Sequence, residues 1–405
     1  MTLSGAAPSV AYRDGNVLRW VAAYTASVSG DVVFFLTLSW AVTRMAGPAQ
    51  VGAVLAVGAI PRAVLMLVGG VIADRYGPRR VVIGSDLARC LIVFGAAALM
   101  QFATTRLSML FAVALIFGVI DALFMPAVGA LAGRLTDVGQ LGRVQGLRIL
   151  AVRLSNAVGP MIAAIVLTAA GVAAGFGLAG LLFTLSVGLL LAVRLHRIQP
   201  SVPSTASPLA DLKDGLQHLR RNRQLTRLVV VVGLGDLCFS GPVGIGLVLL
   251  IAERHWAAAA LGWTLSAFSI GGAVAGILLT ALNRIPRAGV ALACSLLATA
   301  VLVGALGQMT TTGMLIAGSA ALGTTSGVAS ALGNALLQRK TDPYYLGRIS
   351  SVTSLSTVGL TPLLYPVTGV VAAVWGTGAF FAGCAVVCLL AAAIAATKSV
   401  RGSEL

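Results

Sequence analysis

The chain has 405 residues, of which 58% are hydrophobic and only 10% are charged. Soluble domains carry about 25% charged residues, so water cannot be the main solvent of this chain. Its net charge of +16 would also fit nucleic-acid binding, but the basic residues are spread over short loops. The composition therefore predicts a protein that crosses the lipid bilayer many times and does not bind nucleic acid.

Twelve apolar stretches follow one another, each about 20 residues long, which is enough to cross ~30 Å of hydrocarbon. Backbone groups in lipid must pair within their own segment, so these stretches are predicted to be helices. The predicted spans are 17–42, 51–73, 80–102, 107–132, 145–170, 173–195, 226–251, 260–282, 288–308, 312–337, 347–371 and 375–397. The first is too long for the apolar core of a signal peptide and is predicted to be a retained membrane helix.

Basic residues are unevenly distributed between alternate loops. With a cytoplasmic N-terminus, the inner loops and termini hold 21 of the 28 lysines and arginines, and the outer loops hold three. The positive-inside rule therefore predicts that both termini are cytoplasmic. The longest polar stretch, 196–225, predicts a linker between an N-terminal bundle at 1–195 and a C-terminal bundle with a short tail at 226–405. Leucines at 212, 216 and 219 predict a helix on the membrane surface within it, with a plain linker as the alternative.

Short sequence matches recur at an offset of about 205 residues, always in corresponding spans. The matched pairs are 30–31 with 235–236 (Gly-Asp in both), 141–144 with 346–349, Gly118 with Gly323 and, one residue off, Gly70 with Gly276. Several matches at one offset predict two similar six-helix bundles related by a parallel repeat. In transporters built this way, the binding cavity lies between the repeats near the middle of the membrane.

The loop between the second and third predicted spans, residues 69–80, reads GGVIADRYGPRR. It resembles the signature loop of the major facilitator superfamily, in which a glycine, three apolar residues, Asp-Arg, a bulky residue and a glycine precede basic residues. Only Pro78 departs from that pattern. With the twelve spans and the repeat, the resemblance covers the whole chain. It implies an all-α membrane protein with twelve transmembrane helices in two pseudo-symmetric six-helix bundles, and a secondary transporter rather than an enzyme.

The residues of this loop have definite physical uses. Gly70 lets a neighbouring helix approach, and Gly77 permits the tight turn between two helices. Asp74 is an anion at the membrane face, where it can meet a helix N-terminus or a basic residue. The family resemblance implies that its partner lies at the start of the eleventh span, in a latch that closes the cytoplasmic side. The predicted latch residues are Gly70, Asp74, Arg75, Gly77, Arg79, Arg80 and Arg348.

The fifth span carries Gly146, Ser155, Gly159 and Pro160. Their spacing resembles the antiporter signature of drug-exporting members of the family, although that pattern has glycine where this chain has Ser155, Ala163 and Ala164. Small residues keep close helix packing possible, so an ordinary packing face is the alternative. In its overall pattern the chain is similar to the bacterial macrolide and enterobactin exporter branch.

Three carboxylates, Asp31, Asp121 and Asp236, lie deep in predicted spans. Ionisable groups in lipid are costly and are therefore functional candidates. Removal from water favours the protonated form of a carboxyl group, so these residues are predicted to carry protons in the central cavity. Arg62 and Arg153 are the predicted countercharges. The alternative is that the carboxylates only form hydrogen bonds with neighbouring helices.

Asp86 and Arg89, one turn apart in the third span, are predicted to form a structural pair near the cytoplasmic surface. Side chains on the same faces as the deep charged residues are predicted to line the cavity. They are Tyr24, Ser27, Phe34, Phe35, Asn156 and Phe239. A mostly apolar wall with few polar anchors suits a bulky hydrophobic substrate.

The sequence thus predicts a proton-driven exporter of hydrophobic or amphipathic small molecules, such as antibiotics or siderophores, in a bacterial inner membrane. It predicts a monomer that uses protons as the coupling ion and needs no metal or other cofactor. Two alternatives stay open: an importer or facilitator of a small metabolite, and a non-transporting sensor or scaffold. No nucleophile–base pair and no metal-ligand spacing is visible to suggest an enzyme.

Overall fold

The computed structural model describes residues 14–102, 106–132, 140–193, 222–281, 287–342 and 360–397, together with 217, 219, 345, 349 and 353. Only the backbone is described at 67–68, 74, 132, 141 and 360–361. Within these ranges the chain is almost entirely helical and contains no strand. Most of the predicted linker and its surface helix lie outside the described residues.

The helices closely follow the predicted spans. They are α1 Gly15–Thr43, α2 Pro48–Tyr76, α3 Pro78–Phe102, α4 Leu107–Ala132, a continuous segment Leu141–Leu191, α7 Arg223–Glu253, α8 Ala258–Ala281, α9 Ala288–Leu306, α10 Thr312–Lys340 and a continuous segment Leu360–Ala395. At the start of α7, the Asn222 side chain accepts hydrogen bonds from the backbone N–H groups of Gln224 and Leu225, at 3.1 and 3.2 Å. This cap satisfies N–H groups that would otherwise lack a partner.

The two continuous segments each contain two membrane passes. Gly171 (φ 79°, ψ −174°) and Gly376 (φ 82°, ψ 163°) have non-helical backbone angles that glycine adopts readily and other residues rarely do. A straight helix of about 50 residues would be about 75 Å long, more than twice the hydrocarbon thickness. We therefore number α5 and α6 before and after Gly171, and α11 and α12 before and after Gly376. The ten long helical segments of the described residues thus divide into twelve helices, in agreement with the predicted number, with α11 described from Leu360 onwards.

The two kinks also agree with the internal repeat, because Gly171 and Gly376 are 205 residues apart. Gly118 and Gly323, which form a pair at the same offset, make equivalent contacts. A Cβ added to Gly118 would lie 1.9 Å from the carbonyl oxygen of Gly58 on α2. One added to Gly323 would lie 2.0 Å from the carbonyl oxygen of Phe268 on α8. The α2–α4 contact of the first half is thus repeated as the α8–α10 contact of the second.

Among the described residues, apolar packing joins the two halves at one end of the bundle and not at the other. We call the end where α1 begins and α12 ends the terminal end, and the other the opposite end. At the opposite end, one cluster of buried side chains includes residues from both halves, such as Phe34, Phe117, Leu261 and Phe381. At the terminal end, each half has a separate cluster of its own.

Glycines bring the halves into backbone contact at the opposite end. A Cβ on Gly52 of α2 would lie 2.4 Å from the carbonyl oxygen of Tyr365 on α11. A Cβ on Gly262 of α8 would lie 2.4 Å from the carbonyl oxygen of Pro160 on α5. Residues 160 and 365 are again 205 apart, so the two seams are related by the repeat. Only residues without a side chain allow helices to approach this closely.

The same helices separate towards the terminal end. Gly146 on α5 and Gly276 on α8 have no neighbouring atom within 4 Å of an added Cβ. Apolar side chains near these glycines are exposed: Ile149 of α5 is 61% exposed and Ile277 of α8 is 68% exposed. Over the residues that the structure describes, the space between the two halves is therefore closed at the opposite end and open at the terminal end.

Replacing Gly262 with valine should force α5 and α8 apart at the opposite end, because the new side chain would overlap the backbone of Pro160. Overpacking of this kind costs about 1–3 kcal/mol. We expect spin labels at Met45→Cys and Ala257→Cys, in a background without native cysteines, to report longer distances in Gly262→Val than in the parent.

The matched control is Gly276→Val on the same helix, which adds the same atoms where nothing lies within 4 Å. It should leave the label distances unchanged. If Gly262→Val also left them unchanged, the backbone seam would not be what holds this end closed.

Candidate functional site

A cluster of charged side chains lies in the middle of the first half, centred on Arg89 near the midpoint of α3. The Arg89 side chain is 0% exposed. Its Nη1 lies 3.5 Å from Oδ1 of Asp31 on α1 and 3.3 Å from Oδ1 of Asp86 one turn earlier. Its Nη2 donates to Oδ1 of Asp121 on α4. One guanidinium thus joins three helices.

Aromatic rings surround this guanidinium. Its Cζ lies 3.9 Å from the ring centre of Phe124, 5.4 Å from that of Phe117 and 5.7 Å from that of Phe183. The faces of aromatic rings attract cations, and the rings also exclude water. Gly30 makes room for Phe183, because a Cβ there would lie 2.9 Å from a ring carbon. The glycine before Asp31 is therefore needed for this packing.

Two of the three carboxylates are held by several donors. Asp86 accepts hydrogen bonds from the hydroxyls of Ser27 at 2.9 Å and Ser186 at 2.6 Å. Asp121 accepts from Arg89 and forms a second ion pair, with its Oδ2 2.8 Å from Nε of Arg62 on α2. These donors hold both carboxylates in fixed positions.

Asp31 is held more loosely. Its only close charge contact among the described residues is the 3.5 Å approach to Arg89, and its Oδ1 accepts no hydrogen bond from them. Its side chain is 19% exposed, whereas those of Asp86 and Asp121 are almost completely buried. Asp31 is therefore the carboxylate of the cluster that a proton can reach with least rearrangement.

The cluster contains unequal numbers of acidic and basic groups. Three carboxylates face two guanidinium groups, Arg62 and Arg89. If all five were ionised, one negative charge would remain uncompensated in a low-dielectric interior, which is costly. Binding one proton makes the cluster neutral. Chemically, the arrangement can therefore take up and release a single proton.

Two placements differ from what the sequence indicated. Asp86 and Arg89 do form a pair, but it lies mid-helix and connects to Asp31 and Asp121, not near the membrane surface. Arg153 takes part in no ion pair among the described residues. Its Nη1 instead lies 3.7 Å from the position of a Cβ at Gly272 on α8. The spacing of residues along α5 could not reveal this contact, because spacing shows which residues share a face but not which neighbouring helix that face contacts.

Arg153 and Asn156 lie on the face of α5 that meets the second half. Pro160, one turn beyond Asn156, contacts Gly262 of α8 at the closed end. Asn156 and Arg153 follow the same face towards the open end, and both are exposed. They therefore border the space between the halves.

The other predicted cavity residues divide into buried and accessible ones. Ser27 and Phe34 are fully buried, with Ser27 bonded to Asp86 and Phe34 stacked 3.7 Å from Phe117, so the structure does not place them on the cavity surface. Tyr24 is also buried and lies 3.4 Å from Nε of Arg148.

Two predicted aromatics are more accessible. Phe35 is partly buried against the opposite-end core and lies edge-on to Phe34. Phe239 of α7 is half-buried, with its ring centre 6.1 Å from that of Phe268 on α8.

Asp236, the repeat partner of Asp31, lies in a different environment. It borders a small cavity between α7, α9 and α10, and three hydroxyl-bearing residues share the lining: Thr299, Ser326 and Ser330. No arginine takes part in this lining, in contrast to the cluster of the first half.

The signature loop is described in part. Gly77 has φ 87°, as a tight turn between α2 and α3 requires, and Arg75 lies 5.8 Å from the ring centre of Tyr76. Arg79 donates to the carbonyl oxygens of Leu190 and Leu191 at the end of α6, at 3.3 and 3.0 Å. Arg80 is exposed, and the nearest atom to a Cβ on Gly70 is 4.0 Å away, on Pro126 of α4. The Asp74 side chain and Arg348 lie outside the described residues.

The antiporter-like residues of α5 mostly contact α1. The Ser155 hydroxyl accepts a hydrogen bond from the Ser29 hydroxyl at 3.0 Å and donates one to the Thr25 carbonyl at 3.2 Å. A Cβ on Gly159 would lie 3.0 Å from Val32. Gly146 lies beyond this contact, near the open end. Ser155 therefore replaces close packing with a hydrogen bond between the same two helices.

The sequence did not reveal the central position of Arg89 or the hydrogen bond from Ser186 to Asp86. The signal for Arg89 was its position near the middle of a predicted span, the same criterion that selected Asp31. Ser186 gave no signal, because a serine in a membrane helix commonly bonds to its own backbone. Among the described residues, no group of three or more His, Cys, Asp or Glu could hold a metal ion.

Comparisons with known proteins agree with this fold. The family model described as Major Facilitator Superfamily matches residues 20–252. The enterobactin exporter EntS of Shigella boydii is 29% identical over 303 residues, covering 72% of this chain and 70% of that protein. Its counterpart in Citrobacter koseri is 28% identical over 346 residues, covering 80% and 79%.

Solved structures show the same architecture. A mutant of the nucleoside transporter NupG superposes with a TM-score of 0.72 at 14% identity, covering 95% of this chain and 100% of that one. The peptide transporter PepTSo gives a TM-score of 0.68 at 13% identity, covering 94% and 97%. At this identity the likeness concerns the fold alone. With the family model matching more than half of its length, the chain belongs to the major facilitator superfamily of multi-pass membrane transporters.

Proposed function

We propose that this transporter is a proton-driven exporter of hydrophobic or amphipathic small molecules, residing in a bacterial inner membrane. The observation that carries the proposal is the Arg89 cluster, which holds one more carboxylate than guanidinium and has Asp31 at its accessible edge. The export direction rests on similarity to the enterobactin exporters of enterobacteria.

The distribution of basic residues supports an orientation with both termini in the cytoplasm. Of the 28 lysines and arginines, 21 belong to the predicted inner loops and termini and three to the predicted outer loops; the described inner-loop residues, such as Arg79 and Arg143, lie at the terminal end. The positive-inside rule then makes the terminal end cytoplasmic. In that orientation the space between the halves is open to the cytoplasm, which is the state that collects an export substrate.

Proton exchange follows from alternation between two states. When the cavity faces the outside, a proton binds Asp31 and neutralises the cluster. When the cavity opens to the cytoplasm, the proton leaves, and the negative charge of Asp31 returns next to Arg89. A transporter couples two ligands when each biases the same conformational equilibrium. The loosely held Asp31 provides that bias, whereas Asp86 and Asp121 keep Arg89 in place.

The surface between the halves suits an amphipathic substrate. Apolar side chains such as Ile149 and Ile277 are exposed near the open end. Arg153 and Asn156 add polar groups on the same face of α5. Few polar anchors on an apolar wall favour bulky ligands that carry one or two hydrogen-bonding groups.

Asp31→Asn should abolish proton coupling while preserving the shape of the site. In proteoliposomes with an imposed proton gradient, we expect transport of a hydrophobic dye or of enterobactin to fall by at least about tenfold. Dye fluorescence and a pH-sensitive probe inside the vesicles would record substrate and proton movement together.

The matched control is Asp14→Asn on the same helix. Asp14 caps α1 by accepting from the Asn16 N–H at 2.8 Å, and asparagine caps equally well. Uncoupler-sensitive transport equal to that of Asp14→Asn would remove Asp31 from the mechanism. Substrate movement only into the cytoplasm would favour an importer, and no movement of any compound would favour a sensor or scaffold.

The latch formed by Asp74 is a separate part of the proposal. Asp74→Asn should slow transport several-fold without preventing membrane insertion, because the state closed at the cytoplasmic end loses an electrostatic contact. Transport assays on protein of verified fold and yield would test this, with Asp14→Asn again as the control. A normal transport rate in Asp74→Asn would contradict the latch.

A further inference from the structure

Arg153 places a positive charge in the seam between the two halves. It lies about 18 Å along α5 from Leu141 and about 27 Å before the kink at Gly171, at a rise of about 1.5 Å per residue. Its Nη1 lies 3.7 Å from the position of a Cβ on Gly272 of α8. The guanidinium therefore crosses towards the other half near the middle of the membrane, whereas arginines near helix ends extend along the helix to the membrane surface.

The path from the terminal end to Arg153 is open over the described residues. Gly142, Gly146 and Ile149 precede Arg153 on one face of α5, because residues three and four apart lie on the same side of a helix. No described atom lies within 4 Å of a Cβ added to Gly142 or Gly146, and Ile149 is exposed. A molecule that enters from this end can therefore reach the guanidinium along α5.

The two helices of this seam supply no acidic side chain. The stretches 138–210, 254–341 and 343–403 contain no Asp or Glu, and they include all of α5 and α8. On α1, which is joined to α5 by hydrogen bonds of Ser155, the acidic residue of the helix is Asp31, and its carboxylate approaches Arg89. The seam at Arg153 therefore presents positive charge to a molecule between the halves.

The backbone plan of the repeat does not require a basic residue at this position. At the offset of 205 residues, Arg153 corresponds to Val358, so the second half has an apolar residue there. Arg62 differs from Arg153, because its Nε forms an ion pair with Asp121 inside the first half. A charged residue that spans a seam in the membrane, without being needed for the packing of the repeat, is a candidate for ligand binding.

The groups around Arg153 suit a ligand with an acidic end and an apolar body. A guanidinium presents several N–H donors in one plane and can bind two oxygens of an acidic group at once. Such a contact is stronger in a space of low dielectric than at a surface in water. Asn156, one turn further along α5, is exposed and adds an amide that can donate and accept. Ile149 and Ile277 provide apolar surface nearer the open end.

We propose that Arg153 binds an acidic group of the transported molecule, so that the protein prefers anionic amphipathic substrates to neutral ones of the same shape. The acidic group can be a carboxylate, a sulfonate or an ionised phenol, since each offers oxygen acceptors that carry negative charge. This inference rests on the export function proposed above and defines the chemical class of its substrate.

The test uses the full chain in nanodiscs of zwitterionic lipid and two fluorescent probes with the same aromatic skeleton. Anilinonaphthalene sulfonate carries a negative charge, and phenylnaphthylamine is its neutral analogue. Binding of each probe is measured by fluorescence titration, with the signal of empty nanodiscs subtracted. We expect Arg153→Gln to weaken binding of the sulfonate by at least about tenfold and that of the neutral probe by less than about twofold, because only the charged contact is lost.

The matched control is Arg143→Gln, the same substitution on the same helix. Arg143 is exposed, and its side chain donates a hydrogen bond to Gln140 at 3.1 Å. This control should leave the binding of both probes unchanged. Sulfonate binding that is no weaker in Arg153→Gln than in the parent would overturn the proposal, and so would an equal loss for both probes.

If Arg153→Gln does not fold, Asn156→Asp is the second test. It places a carboxylate one turn from Arg153 and neutralises the guanidinium without removing it. Binding of the sulfonate should fall while binding of the neutral probe persists, and unchanged binding of the sulfonate would overturn the proposal. Because binding is measured without a proton gradient, its failure leaves proton-driven export of neutral compounds intact. Failure of Asp31 as a proton carrier leaves anion binding at Arg153 intact.

Discussion

The buried guanidinium of Arg89, at the centre of the first half, constrains the positions of the helices that surround it. Arg89 cannot reach water, so the carboxylates it contacts must lie at its own depth: Asp86 on the same helix, and Asp31 and Asp121 on two facing helices. Three helices of the first half are thereby fixed in rotation and height. The aromatic rings around it fill the space that water would otherwise enter. A change in the charge of Asp31 therefore also alters the interactions of Asp86 and Asp121, because all three carboxylates contact the Arg89 guanidinium.

The two halves have the same backbone plan and different chemistry. Helix kinks and backbone contacts recur between the halves: residues 118, 160 and 171 match 323, 365 and 376 at an offset of 205, and the contacting residues 52 and 58 of α2 match 262 and 268 of α8 at an offset of 210. Backbone packing is therefore the part of the repeat that both halves keep. Of the charged residues of the Arg89 cluster, only Asp31 recurs, as Asp236: Asp121 corresponds to Ser326, and α9, the counterpart of α3, contains no basic residue. Small residues must be kept where two helices are in backbone contact, because any added side-chain atom would overlap the neighbouring backbone. Residues in the bundle interior are free to diverge where they retain volume and satisfy their polar atoms.

Closure at one end and opening at the other follow from this plan. At the opposite end, α2 meets α11 and α5 meets α8 with backbone in contact, and one apolar core includes residues of both halves. At the terminal end, each half has its own core, so the halves can rock about the closed end without unpacking. Asp31 and Arg153 lie between these two regions. A site in that position can be exposed to either side in turn.

The sequence by itself determined the membrane setting, the helix spans, the repeat and the depth of the carboxylates. Each of these depends on hydropathy or on local matches along the chain, because lipid selects apolar segments of a fixed length. Only the tertiary structure decided which charges meet. Arg89, expected in a surface pair with Asp86, joins Asp31 and Asp121, and Arg153 contacts α8 instead of a carboxylate. Ser27 and Phe34 share a helix with Asp31, yet they are buried in the bundle. Helical spacing tells which residues share a face, but rotation and tilt of the packed helices decide what that face contacts.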